Sequence, residues 1–289
     1  MSLTPFSCSV HTHSTLCDGK NTLAEMAAAA YAAGVRYFGA SGHSHTPMPE
    51  DEGQVLPADM TAYRAEVLRL REMYAGRMEV LLGVELDNCA DVSPEGFDYW
   101  IGSAHRLRGP DGRWYIVDWD AETLAACCKN AFGGDGLAAA ERYYDEVRRM
   151  AAMRPTILGH IDLITKFNGE GGFFDEGAPR YRRAALSALQ AADPSATLLE
   201  VNTGAMSRGY RTTPYPARFL LEAWREMGGQ IILTADAHSA AHLTFGYDQA
   251  ARLAREAGFE RAALLTRRGV QQCPLEKAES AAGGRAGKK

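Results

Sequence analysis

The chain has 289 residues, of which 46% are hydrophobic and 23% are charged, so it can bury a full globular core. Its formal net charge of −5 argues against a surface that holds nucleic acid. The N-terminus lacks signal-peptide features, and no apolar run approaches the ~18 residues of a spanning helix. Six cysteines without zinc-finger spacing predict free thiols. We therefore expect a cytoplasmic protein with no nucleic-acid or membrane partner.

Short apolar segments alternate with longer helical patterns along most of the chain. The predicted strands are residues 7–10, 36–40, 79–86, 98–104, 156–160, 197–202 and 230–235. The predicted helices are residues 22–34, 59–76, 136–153, 181–192, 215–229 and 247–258. This alternation predicts an α/β fold in which helices cover a parallel sheet, and about seven such units favour a barrel over an open sheet.

Three segments lie outside this alternation. Residues 44–60 and 165–180 are rich in Gly, Pro and acidic residues, so we predict long loops that border an active site. Residues 277–289 are polar and low in complexity, which predicts a disordered tail. The remaining residues, 1–276, are predicted to form a single domain.

Most of the histidines directly follow predicted strands. Seven of the eight lie in the segments SVHTH, GASGHSH, GSAH, LGH and TADAH. Glu85, Glu200 and Asp236 likewise lie at or near the ends of predicted strands. In a β/α barrel these strand ends converge on one face, where active sites lie, so about five imidazoles and three carboxylates should meet there.

The spacing of His11 and His13 places both imidazoles on the same side of a strand. Alone, this pair also fits two solvated histidines on an edge strand. Packing all the strand-end groups together without cations would impose large desolvation and repulsion costs, which metal ions relieve. The residues therefore predict a polynuclear metal site. The sequence contains no serine-hydrolase elbow, P-loop or Rossmann motif.

Seven motifs resemble, in order and spacing, the PHP (polymerase and histidinol phosphatase) superfamily, and most closely its stand-alone histidinol-phosphatase branch. They are HTHSTLCDG, SGHSHT, GVELD, DYWIGSAH, GHIDLITKF, EVNTGAMSRGYRTTPYP and TADAHSAAHL. The resemblance covers about residues 7–270. It implies a distorted (β/α)7 barrel with three divalent metal ions at the C-terminal mouth of the strands. Zinc, iron and manganese all suit such ligands.

The resemblance also implies ligands for each ion. The first ion would take His11, His13, Glu85 and Asp236; Glu85 would bridge to a second ion held by His105 and His160; and the third would take Asp18, His43 and His238. Two positions depart from the family pattern. Ser9 and Gly42 stand where relatives often carry Asp, so we expect altered metal identity or affinity rather than loss of the ions.

For a phosphate ester, such a centre implies attack of a metal-bridging hydroxide on phosphorus, in line with the leaving alkoxide. We assign catalytic roles to Glu85, Asp236 and His238; the last two can move a proton, although the identity of the general acid stays open. The predicted contacts of the substrate phosphate are Arg208, Arg211, Lys166 and Ser103. The alternative for each of the three cations is a solvated loop charge.

The function that fits these residues best is hydrolysis of a small phosphorylated metabolite, L-histidinol phosphate, to L-histidinol and inorganic phosphate. Candidate partners for its amine are the loop residues Asp51, Glu52, Asp162 and Glu170. An alternative substrate is a cyclic phosphodiester of a sugar or a nucleotide bisphosphate. A non-catalytic metal-binding protein is a further hypothesis, which the complete set of ligands opposes. The sequence leaves the oligomeric state open.

Overall fold

Strands and helices alternate in the computed structural model, which describes residues 4–275 apart from the side chains at positions 170 and 171. The strands are β1 (Cys8–Ser9), β2 (Tyr37–Ala40), β3 (Glu79–Asp87), β4 (Tyr99–Ser103), β5 (Arg106–Arg108), β6 (Trp114–Ile116), β7 (Ile157–Leu158), β8 (Leu198–Asn202), β9 (Gln230–Thr234), β10 (Arg261–Thr266) and β11 (Gly269–Pro274). The helices are α1 (Leu23–Ala32), α2 (Thr61–Met73), α3 (Ala121–Phe132), α4 (Gly136–Ala152), α5 (Asn168–Gly171), α6 (Pro179–Gln190), α7 (Gly204–Ser207), α8 (Arg218–Glu226) and α9 (Tyr247–Glu256).

Nine of these strands form one sheet in the order β1-β2-β3-β4-β7-β8-β9-β10-β11. Neighbouring strands from β1 to β10 pair in parallel, and β11 pairs antiparallel with β10. β5 and β6 form a separate antiparallel hairpin between β4 and α3. The order follows the sequence from strand to strand, as expected for parallel strands joined by crossovers, which contain a helix at every step from β1 to β10 except between β3 and β4.

The sheet curls until the chain beyond β1 meets the chain beyond β9. Thr12 bridges Ala237 there in parallel. The amide of His13 donates to the carbonyl of Ala237 at 3.0 Å, and the amide of Ala237 donates to the carbonyl of His11 at 2.9 Å. The seven parallel strands β1, β2, β3, β4, β7, β8 and β9 therefore close into a distorted (β/α)7 barrel, which confirms the predicted fold class. β10 and β11 extend the sheet beyond β9.

Apolar side chains fill the barrel below the carboxyl-terminal ends of its strands. This interior cluster comprises Cys8, Val10, Leu81, Tyr99, Ile101, Ile157, Leu198, Ile232, Ala263, Leu264, Leu265 and Cys273. The ring of Tyr99 passes so close to Gly39 and Gly83 that a Cβ at either position would collide with it. Dense packing of this kind makes a rigid base for the strand ends above it.

Around the barrel, the helices bury a larger apolar cluster against the outer face of the sheet. Local signals fix where they begin: Thr22 and Glu25 form a capping box at α1, and Asp120 caps α3. Within residues 4–275, no helix combines the length and the apolar character needed to cross a membrane.

All seven predicted strands and six predicted helices are present, with ends shifted by at most three residues. The sequence analysis missed the β5–β6 hairpin, α3 and the β10–β11 hairpin. The strands β5 and β6 have three residues each, too few for a recognisable period. The predicted loop 165–180 contains the short helix α5 and the start of α6. The predicted tail, residues 277–289, lies outside the described residues, and the extent of the single domain stays a prediction.

Candidate metal centre

The nine predicted metal ligands all meet at the carboxyl-terminal mouth of the barrel. We call them the strand-end cluster: His11, His13, Asp18, His43, Glu85, His105, His160, Asp236 and His238. Eight of them lie at or just beyond the ends of β1, β2, β3, β4, β7 and β9. Asp18 lies in the turn that follows His13. The parallel sheet directs all these strand ends to one face, which explains why residues so distant in sequence come together.

The ligand atoms of the strand-end cluster form four groups, each with its atoms within 4.8 Å of one another. The groups are His13, Asp18, His43 and His238; His11, His13 and Asp236; His11, Glu85 and His160; and His43, Glu85 and His105. Because His11, His13, His43 and Glu85 each belong to two groups, the groups form one continuous basin rather than separate sites.

Several buried atoms at the centre of this basin have no hydrogen-bond partner. They are His11 Nε2, His13 Nε2, Asp18 Oδ1 and Glu85 Oε2. Three imidazole nitrogens surround Glu85 Oε2 without hydrogen-bond geometry: His43 Nδ1 at 2.9 Å, His11 Nε2 at 3.3 Å and His13 Nε2 at 3.5 Å. Unpaired buried polar atoms are costly, and a divalent cation satisfies nitrogen and carboxylate oxygen atoms in this arrangement. The donor set therefore fits bound metal ions.

A second layer of carboxylates orients the imidazoles of His11 and His105. Glu200 is fully buried, and its Oε1 lies 2.5 Å from His11 Nδ1. Its other oxygen accepts hydrogen bonds from the amide of His160 at 2.7 Å and the side chain of Asn202 at 3.0 Å. Asp87 Oδ2 lies 2.7 Å from His105 Nδ1. Carboxylates that hold one ring nitrogen aim the other nitrogen at the metal position.

Asp236 occupies a strained place in this centre. Its φ of +46° lies in the left-handed region, which non-glycine residues rarely adopt and which is found disproportionately at functional sites. Its Oδ1 lies 3.2 Å from His13 Nε2. A Cβ at Gly204 would come within 2.6 Å of Asp236 Oδ2, so only glycine leaves room for this carboxylate.

The charged groups of the basin strongly perturb one another. Burial would raise the pKa of Glu85, but His11, His43 and His105 hold it well below its usual range. Burial would lower the pKa of His11, yet Glu200 and Glu85 raise it to about 10. Burial and the adjacent His13 lower the pKa of His238 to about 4. Metal ions compete with protons for such imidazoles, so binding of metal should release protons here.

A cavity of about 290 Å³ opens above the strand-end cluster. Its floor contains six members of the cluster: Asp18, His43, His105, His160, Asp236 and His238. Its wall is formed by Lys20, Asp118, Trp119, Leu163, Lys166, Arg208 and Tyr210. A cationic wall above a metal-binding floor suits a small anionic substrate.

The four predicted phosphate contacts divide into two pairs. Arg208 and Lys166 line the cavity. Arg211 does not: its Nη1 donates to Thr165 Oγ1 at 2.6 Å, and its guanidinium lies over the ring of Tyr215. Ser103 is buried and does not line the cavity, and its Oγ has no hydrogen-bond partner among the described residues. The structure therefore brings only one of the two pairs to the site.

Five residues of the cavity wall were not predicted from the sequence. They are Lys20, Asp118, Trp119, Leu163 and Tyr210. Asp118 follows β6 as the predicted ligands follow their strands, but β6 belongs to a short antiparallel hairpin that the sequence does not predict, so the rule of polar residues at the ends of parallel strands did not find it. The sequence gives no comparable signal for Trp119 or Tyr210, because exposed aromatic residues in loops carry no period.

A β/α barrel with clustered histidines and carboxylates at the strand ends defines a class of metal-dependent enzymes. The PHP domain family matches residues 8–204, and the chain belongs to this family. The site accordingly binds divalent metal ions.

Individual relatives match between 70% and 91% of the chain. A probable histidinol-phosphatase of Deinococcus radiodurans is 29% identical over 269 residues, which cover 87% of this chain and 94% of the relative. The histidinol-phosphatase of Bacillus subtilis is 24% identical, over 70% of this chain and 79% of its own length. The crystal structure of the histidinol phosphate phosphatase of Lactococcus lactis, complexed with zinc, L-histidinol and phosphate, has a TM-score of 0.65 and 20% identity, over 91% of this chain and 98% of that one.

Proposed function

We propose that this chain hydrolyses L-histidinol phosphate to L-histidinol and inorganic phosphate with metal ions bound at the strand-end cluster. One observation carries the proposal: a single basin combines buried imidazole and carboxylate atoms that lack partners with a cationic wall. The names of the relatives from Deinococcus radiodurans and Bacillus subtilis support this substrate, as do the ligands of the Lactococcus lactis enzyme. The cytoplasmic location and the lack of a nucleic-acid partner stay predictions.

In this proposal three ions share the nine ligands. The first is held by His11, His13, Glu85 and Asp236, the second by Glu85, His105 and His160, and the third by Asp18, His43 and His238. Two groups of ligand atoms support the first and third ions, because one joins His11, His13 and Asp236 and another joins Asp18, His43 and His238 with His13. Glu85 shares one group with His160 and a different one with His105, so its position supports a bridging role. Zinc, iron and manganese all suit this mixture of imidazole and carboxylate ligands.

Bound divalent ions would hold the phosphoryl oxygens, lower the pKa of a water molecule and offset the charge that develops as the ester bond breaks. Arg208 would add a directional contact to the phosphate. Its Nη1 lies 2.8 Å from His238 Nδ1, its Nη2 donates to Asp236 Oδ2 at 3.1 Å, and its buried Nε has no partner. The guanidinium is therefore held at the cavity, and Nη1 and Nη2 each have a second N–H that can donate to a phosphoryl oxygen.

Lys166 would add positive charge on the same wall. Its ammonium group donates to the carbonyl of Asp118 at 2.6 Å and lies 5.0 Å from the centre of the Tyr210 ring. Asp236 and His238 line the cavity beside Arg208, so we propose that they move the proton required by the leaving alkoxide. We also propose a catalytic role for Glu85, as a ligand shared by two of the metal ions.

The shape of the cavity favours a small leaving group. A volume of about 290 Å³ accommodates an amino alcohol with one ring better than a nucleotide bisphosphate. Trp119 and Tyr210, which are 63% and 48% exposed, offer flat apolar surfaces for that ring at the same cavity.

The substrate can be tested with initial rates of phosphate release by metal-loaded protein. L-histidinol phosphate, an aryl phosphate and a cyclic phosphodiester of a sugar would be compared. We expect L-histidinol phosphate to be preferred, with kcat/KM above ~10⁴ M⁻¹s⁻¹, within the usual range of enzymes. Faster hydrolysis of the cyclic phosphodiester would favour the alternative substrate.

The arginines of the segment 206–211 provide a matched pair of variants. Arg208→Gln should lower kcat/KM by about 100-fold, because it removes a charged donor aimed at the phosphate. Arg211→Gln, three residues along the chain, removes the same charge outside the cavity and should change kcat/KM by less than about threefold. Equal losses in the two variants would contradict the proposed role of Arg208.

A further inference from the structure

The cavity wall contains one carboxylate that the metal groups do not use. Among the described residues that line the cavity, the carboxylates are Asp18, Asp236 and Asp118. The first two belong to groups of metal-ligating atoms, and Asp118 belongs to none. The other charged residues of the wall, Lys20, Lys166 and Arg208, are cationic. An acidic residue on a wall built for phosphate calls for an explanation, because it opposes the binding of an anion.

Two contacts hold Asp118 at the cavity. The amide of the preceding residue, Val117, donates to the carbonyl of His105 at 3.0 Å, which ties this segment to a member of the strand-end cluster. The ammonium of Lys166 lies 2.6 Å from the carbonyl oxygen of Asp118 and 3.4 Å from its Oδ2. In the described part of the chain, the other carboxylate oxygen, Oδ1, has no hydrogen-bond partner. The side chain is 23% exposed, so a ligand in the cavity can reach it.

The chemistry of the leaving group supplies a reason for this carboxylate. In a phosphate ester of a vicinal amino alcohol, the ammonium group sits on the carbon next to the esterified carbon. When the phosphate lies on the floor beside Arg208, the ammonium group is two carbon atoms from the ester oxygen and therefore within reach of the wall of the same cavity. We propose that Asp118 binds the ammonium group of the substrate and makes the site selective for phosphate esters of vicinal amino alcohols. This inference rests on the proposed phosphatase function.

The other acidic candidates are engaged elsewhere. Asp51 is buried in an ion pair with Arg106. Asp162 is fully buried and accepts a hydrogen bond from the amide of Ala217 at 2.7 Å. Neither they nor Glu52 line the cavity. The side chain of Glu170 lies outside the described residues.

The experiment compares two substrates that differ only in the amine: L-histidinol phosphate and 3-(imidazol-4-yl)propyl phosphate. Asp118→Asn keeps the size of the side chain and removes its charge. We expect kcat/KM for L-histidinol phosphate to fall by about 10- to 100-fold, the usual worth of a hydrogen bond to a charged group. The value for the deamino analogue should change by less than about threefold, since it makes no contact with the carboxylate.

Two controls keep the result interpretable. Glu122→Gln removes an exposed carboxylate from the first turn of α3, outside the cavity, and should leave both substrates unchanged. Asp118→Glu, which keeps the charge, should retain part of the preference for the amine. Metal content and the far-ultraviolet circular dichroism spectrum of each variant establish that the centre and the fold are intact.

Each outcome supports or overturns the inference. A similar loss on both substrates would mean that Asp118 serves the phosphate chemistry or the metal centre, and no loss on either would remove it from substrate binding. Comparable wild-type rates on the two substrates would overturn the selectivity and leave the phosphatase function standing. Absence of wild-type turnover on either phosphate ester would contradict the proposed function itself, and with it the inference.

Discussion

The same strands build two contrasting regions inside the barrel. Near their carboxyl-terminal ends, the inward side chains are histidines and carboxylates with buried atoms that lack hydrogen-bond partners, such as Glu85 Oε2. Nearer the amino-terminal ends of the same strands, the inward side chains are apolar. Even the polar group of Tyr99 is satisfied there, because its hydroxyl donates to the carbonyl of Val10 at 2.5 Å. The lower region stabilises the fold through buried apolar side chains. The upper region instead has polar atoms that are available to bind metal ions and substrate.

This contrast shows how one fold separates stability from function. The apolar interior cluster holds the strands at fixed spacing, and the strand-end cluster inherits its geometry from them. Asp236, with its left-handed backbone, lies at the boundary: it is the second residue beyond β9, whose Ile232 belongs to the apolar cluster. Variants in the upper region should therefore affect metal binding and turnover, and variants in the lower region should affect unfolding.

Glu85→Gln should produce the largest effect. Glu85 contributes to two groups of ligand atoms, and a neutral amide is a far weaker ligand than a carboxylate. We expect kcat for phosphate release to fall by at least about 1,000-fold, with less metal bound per chain. Metal analysis of the purified variant beside a turnover assay measures both. Wild-type metal content and turnover would contradict the central position of Glu85.

Ile232→Ala should produce the largest effect in the lower region. Ile232 is fully buried in the barrel interior, so its truncation should lower the free energy of unfolding by about 2–5 kcal/mol. Urea denaturation of the metal-loaded protein measures this change. Below the unfolding transition, kcat/KM should remain within about threefold of wild type, because the residue touches no substrate. A large loss of turnover in a folded, metal-loaded variant would break the separation between the two regions.

Asp87→Asn tests the layer that orients the metal ligands. Asp87 Oδ2 lies 2.7 Å from His105 Nδ1, and the amide would hold the imidazole less firmly. We expect the metal affinity of the chain to fall by about 10- to 100-fold, the usual effect of removing such a partner. Competition with a chromophoric chelator measures the affinity. Unchanged affinity would indicate that the packing around His105 suffices to orient it.

Trp119→Ala should produce the smallest effect. Trp119 is 63% exposed, so its loss should leave the stability nearly unchanged. We expect KM for L-histidinol phosphate to rise by about three- to tenfold, through loss of one flat contact surface for the imidazole ring. Steady-state kinetics with an aliphatic amino alcohol phosphate, which has no imidazole ring, serves as the comparison. The KM of the variant for this second substrate should equal that of the wild type.

Much of this architecture could be predicted from the sequence, for a physical reason. Parallel strands place their carboxyl ends on one face, so polar residues after apolar segments had to meet there. That rule located His11, Glu85 and His160, although 149 positions separate the first of them from the last. The same alternation of strands and helices predicted the barrel.

Other features depend on packing that the sequence does not reveal. Arg208 and Arg211 are three residues apart in one segment, and only the turn after α7 decides that the first reaches the cavity. Asp118 was missed because a hairpin of two three-residue strands carries it to the site. Glu200 was correctly placed at the mouth, but its role in orienting His11 depends on a distance of 2.5 Å that no motif encodes.

The most direct test of the central claim is to measure metal content and turnover of L-histidinol phosphate on the same preparation, before chelation, after chelation and after metal is restored. We expect three divalent ions per chain, loss of phosphate release when they are removed, and recovery in proportion to the metal returned. Full turnover by metal-free protein would contradict it. Bound metal with no turnover of any phosphate ester would identify a metal-binding protein without this catalytic function.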